Sequence, residues 1–192
     1  MKMPKKSLFL RQMRALSVDK SDPFIRVYPA FLDFFRDRKR ITSGDFVVVA
    51  NAAYGWMPRM LKLRGTDEDW AKAAQILNRA KRHRITESDD LETLKRIINK
   101  SLVGPSKLLH FANPRKHAIW DSRVYRYLAK ERPDHSRLLK LDNYRRYLEI
   151  CDKIASWPEL RQATRQVSRK LGYRVTPFRA IELTMWANGA KR

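Results

Sequence analysis

Cysteine is almost absent. Cys151 stands alone, which excludes an internal disulfide, a four-cysteine zinc site and a cysteine-ligated iron–sulfur cluster. The four histidines are scattered and make no metal set. Glycine is scarce, at six in 192 residues, and apolar/polar alternation is rare, which argues against a β-sheet protein. No stretch approaches the roughly 18 apolar residues of a membrane span, and the run Leu8 to Leu10 after Lys2, Lys5 and Lys6 is too short for a signal-peptide core. Acids are in deficit: 20 Asp and Glu face 42 Lys and Arg, a formal charge of +22.

These absences predict a reduced, cytoplasmic protein with no metal, no cofactor and no membrane partner, nucleoid-associated if bacterial. The charge demands a polyanion. A hydrophobic fraction of 43%, with five Trp and eight Phe, is enough for a core and excludes disorder throughout. Residues 1–18 hold no acid; the basic start, to about residue 20, is expected to be mobile, with one folded domain over 21–192.

Helical periodicity dominates that domain and predicts an all-α fold. Phe24, Val27, Tyr28, Phe31, Phe34 and Phe35 recur at helical spacing, with Pro29 beginning or kinking the helix. Thr42 to Asp45 opens an apolar segment, Phe46 to Met57, that Pro58 ends; Ala50, Ala52 and Ala53 favour helix over strand. Thr66 and Asp69 form a capping-box pattern before the Trp70, Ala73, Leu77, Ala80 face. A helix to Lys100 carries Leu91, Leu94, Ile97 and Ile98, and a turn over 101–106 follows. Three further helices are predicted: Asp142 to Trp157, Pro158 to Leu171 stopped by Gly172, and one opened by Thr176-Pro177.

The most informative stretch is 91–128. A helix, the turn Leu102-Val103-Gly104-Pro105-Ser106 and a short helix starting near Lys107 make a hairpin over about 88–112. Such a hairpin can present backbone N–H groups to a phosphate. Ser106-Lys107-Leu108-Leu109-His110-Phe111, then Asn113-Pro114, then Ile119-Trp120-Asp121-Ser122-Arg123-Val124 resembles a compact branch of the helix-hairpin-helix DNA glycosylase superfamily, without an iron–sulfur cluster. Tyr54-Gly55-Trp56-Met57-Pro58 and Thr176-Pro177-Phe178-Arg179 add to the likeness. The chain departs from the family in having Gly104 alone before the lysine, followed by Pro105, and in a Lys107 to Asp121 spacing about one helical turn short.

The resemblance implies two helical lobes with a cleft that receives a modified base flipped out of duplex DNA. It places Asp121 as the catalytic carboxylate and Lys107 as the amine of the bifunctional members, which also cleave the strand. Gly104, Ser106, Arg115, Lys116, Arg123 and Arg126 are the expected DNA contacts. Tyr54, Trp56, His110 and Trp120 are the expected base pocket. Each has a plainer alternative: Asp121 as a helix N-cap, Lys107 as a solvated charge, His110 as a structural histidine, the aromatic residues as core. The expected activity is excision of a modified base by a monomer acting on DNA, with AP lyase activity through Lys107. The competing readings are a non-catalytic helical DNA-binding protein and an RNA-binding accessory protein.

Overall fold

The computed structural model describes residues 1–56, 60–132 and 134–189, and His135 by its backbone alone. The described residues are all-helical, with one isolated antiparallel bridge, Leu63 to Ile98. No described helix is long and apolar enough to cross a membrane.

The first helix, α1 (Lys6–Arg14), corrects the expected mobile start: Phe9, Leu10 and Met13 are buried, and Phe9 meets Tyr127 and Trp157 edge to face. Its apolar face was hidden among basic residues because a helix needs only one apolar side to dock. The aromatic stripe divides into α2 (Pro23–Arg26) and α3 (Tyr28–Asp37), and Pro29 lies in the first turn of α3, where its missing amide costs nothing. Next, α4 (Ser43–Trp56) is a helix, as Ala50, Ala52 and Ala53 predicted. The expected stop at Pro58, with Met57, lies outside the described residues. The Thr66–Asp69 capping box is formed at the start of α5 (Asp67–Ala80).

A larger correction concerns the hairpin. Helix α6 (Ser88–Ile97) ends earlier than expected, because Asn99 and Lys100 take left-handed backbone angles and Asn99 holds Lys62 N and Met60 O. Helix α7 (Val103–Ala112) then begins four residues before Lys107, so Gly104, Pro105 and Ser106 belong to its first turn, not to a loop. Proline is tolerated there because the first amides of a helix have no intrahelical acceptor.

Asp121 caps α8 (Ser122–Ala129). A short α9 (His135–Leu139), not anticipated, precedes α10 (Leu141–Ala155) and α11 (Leu160–Leu171), which Gly172 ends at φ +83°. Thr176 caps α12 (Pro177–Asn188). Packing converges on two central helices: α7 touches α3, α4, α5 and α6, while α12 touches α1, α8, α10 and α11. Cys151 is buried on α10 with Tyr147 and Ile154.

Candidate active site

A cavity of about 580 Å³ is lined by α2, α4, α7, α8, α9 and α12. That is within the range of small-ligand sites, roughly 300–1,000 Å³. Lys107 on α7 and Asp121 at the head of α8 both line it, with Tyr54 and Trp56 from α4 and Trp186 from α12. Lys107 is only 6% exposed, and its Nζ lies 5.9 Å from the centroid of the Trp56 ring. Asp121 Oδ1 accepts from Arg123 N and Val124 N, both at 2.9 Å. Capping and lining are therefore done by one side chain, and the two readings of Asp121 are compatible. Arg123 also lines the cavity, its guanidinium 4.1 Å from the Trp186 ring centroid.

The wall also holds a buried ion pair that is not among the expected site residues. Arg179 and Glu182, one turn apart on α12, are 2% and 3% exposed, bonded to each other, and line the cavity. Burial pushes the Glu182 carboxyl up, Arg179 opposes this, and the charges of Asp121 and Lys107 also reach it with opposite signs. The available signal was an oppositely charged pair inside a helix that is otherwise apolar on nearly every side, Phe178 to Trp186.

No protein-family model, curated protein or solved structure matches this chain. Its own residues carry the functional reading.

The expected site residues separate into three groups. Lys107, Asp121, Tyr54, Trp56 and Arg123 meet at the cavity. His110 and Trp120 do not, which corrects their place in the base pocket. The Trp120 indole is fully buried against Tyr125 and Tyr147 and donates to Leu138 O. His110 is fully buried: Nδ1 donates to His117 O, leaving Nε2 to accept from Tyr28, each at 2.8 Å. Burial lowers its pKa to about 3, and that of His117 to about 4, so both rings are neutral.

Gly104 and Ser106 are buried as well, which takes the glycine and the Ser106 hydroxyl away from the expected DNA contacts. Gly104 abuts Tyr54, and the Ser106 hydroxyl accepts from Trp120 N at 2.9 Å while donating to Val103 O. Ser106 and Trp120 immediately precede Lys107 and Asp121, so this clip fixes the backbone beneath both. The shared sequence distance of Ser106–Trp120 and Lys107–Asp121 is the trace it leaves in the chain. Arg115 and Lys116 are exposed on the segment after α7, where Arg115 lines a second, more open groove with Arg36, Lys81 and Arg174. Arg126 Nη1 donates to Gly189 O. Among the described residues no group of three or more His, Cys, Asp or Glu side chains gathers as a metal site.

Proposed function

We propose that this protein is a DNA glycosylase that excises a modified base flipped out of duplex DNA, acting as a monomer. The observation that carries the reading is the meeting of Lys107 and Asp121 in one aromatic-walled cavity of small-ligand size. In this reading the helices around α7 and those around α12 act as two lobes, and α6 with α7 forms the hairpin that meets the DNA backbone. The +22 charge supplies the attraction to phosphate.

The chemistry follows from the two side chains. As the C1′–N bond breaks, its electron pair leaves with the base and positive charge builds on the sugar. The Asp121 carboxylate offsets that charge. Water or the Lys107 amine then bonds to C1′. In the second case the nitrogen sheds its protons, the sugar ring opens, and an imine remains; loss of a C2′ proton expels the 3′ phosphate and cuts the strand.

Purified protein incubated with duplexes carrying a panel of modified bases, scored for free base and for strand breaks, tests the reading. Asp121→Asn should retain fold and DNA affinity, because Asn also caps, and should slow base release by about two to three orders of magnitude. Borohydride should trap wild type on its substrate, with the crosslink mapping to Lys107 and absent in Lys107→Gln. Binding without release of any base by wild type would replace this reading with a non-catalytic DNA-binding protein.

A further inference from the structure

The packing of α12 does not call for the Arg179–Glu182 pair. Replacing a buried ion pair by apolar side chains of similar size often leaves a fold equally or more stable, and the neighbours Phe178, Ala180 and Ile181 are buried and apolar. The pair is also incomplete. Arg179 Nε is buried with no hydrogen-bond partner among the described residues, a costly arrangement for a group kept only for packing. The guanidinium is held in place 4.3 Å from the Tyr28 ring centroid, and the Tyr28 hydroxyl is anchored by His110. A group that only donates and a group that only accepts thus stand side by side in the cavity wall.

A matching ligand is a heterocycle with an acceptor beside a donor. A carbonyl oxygen carries more negative charge than a ring nitrogen, and a lactam N–H is more acidic than an aromatic amino group. Charge-assisted bonds to this pair are therefore strongest for an N–H next to a C=O. We infer that Arg179 and Glu182 form a base-reading subsite selective for a nucleobase with a lactam edge, as in keto purines and pyrimidine-diones, over one with an amino edge. The inference rests on the glycosylase reading for the way a base reaches the cavity.

Two base pairs of probes differ in this edge alone: uracil against cytosine, and hypoxanthine against adenine. Each is placed as a 2′-fluoro nucleotide, which resists cleavage, opposite an abasic analogue in one duplex, and binding to the full-length protein is read by fluorescence anisotropy. Wild type should bind the uracil and hypoxanthine duplexes at least tenfold tighter than their partners. The double variant Arg179→Met with Glu182→Leu should keep its helical circular dichroism and bind all four alike. Glu182→Gln, which changes one atom and decides the matter should the double variant not fold, should reduce the preference below threefold. Equal binding of the four duplexes by wild type, or a preference that survives in these variants, overturns the subsite. Base release from the unfluorinated duplexes is assayed in parallel. An edge preference without release defeats the glycosylase chemistry and keeps the subsite, whereas release without an edge preference does the reverse.

Discussion

At Gly104 an added Cβ would sit 2.6 Å from the Tyr54 hydroxyl oxygen and 2.9 Å from Ile98 Cγ2. Alanine favours a helix over glycine by about 1 kcal/mol, which offsets part of an overpacking cost of about 1–3 kcal/mol. Gly104→Ala should therefore lower the melting temperature by only a few degrees. The strain passes to Tyr54 in the cavity wall, so under the proposed function base release should fall about ten- to a hundredfold, the scale of a small misplacement. The two interior histidines give a pH prediction. Below pH 6.5 an unfolded chain protonates both rings, while the folded chain holds them neutral down to about 4 for His117 and about 3 for His110. Unfolding then takes up two protons, and stability, full above pH 6.5, should fall by roughly 2–3 kcal/mol per pH unit between about pH 6 and 4. Urea unfolding across that range measures the slope. His117→Gln, which keeps an acceptor for Ile85 N, should remove about half of it.

Among the elements, α7 and the head of α8 carry Lys107 and Asp121, and the Ser106 hydroxyl between them is the joint. Ser106→Ala leaves Trp120 N–H buried without that acceptor, at a cost of about 1–3 kcal/mol in chemical denaturation. Base release should drop further than this loss explains while DNA affinity stays within twofold. Ser106 also shows what was legible in the sequence and what was not. Caps located the starts of α5, α8 and α12 and the end of α11 to within a residue or two, because Thr66, Asp121, Thr176 and Gly172 act locally. Gly104-Pro105 reads as a turn in the sequence but lies in a helix, since both residues also suit a first helical turn packed closely on another helix. The motif singles out Lys107 and Asp121, and both line the cavity. The burial of Trp120 and His110, and the inward turn of Arg179 and Glu182, depend on contacts far apart in sequence that no local pattern encodes.

For the whole molecule, the proposed function implies that the +22 charge dominates affinity for DNA. Five phosphate contacts would give a slope of about −4.5 for log K against log[salt]. A titration between low and physiological salt checks this, and a nearly flat line would count against an electrostatic footprint. The placement of α1 has a different consequence, one of timing. Its partners are α11 and α12, and Lys170 Nζ reaches back to Leu16 O. A ribosome adding roughly 5–20 residues per second releases Phe9 many seconds before Ile181 exists. Throughout that interval the Phe9, Leu10 and Met13 face lacks α12, although Tyr127, Trp157 and α11 emerge before it, and the strip stays partly open to a holdase chaperone or to its neighbours on a polysome. The final seal of the core is set when α12 clears the exit tunnel, well after the face it closes on has emerged.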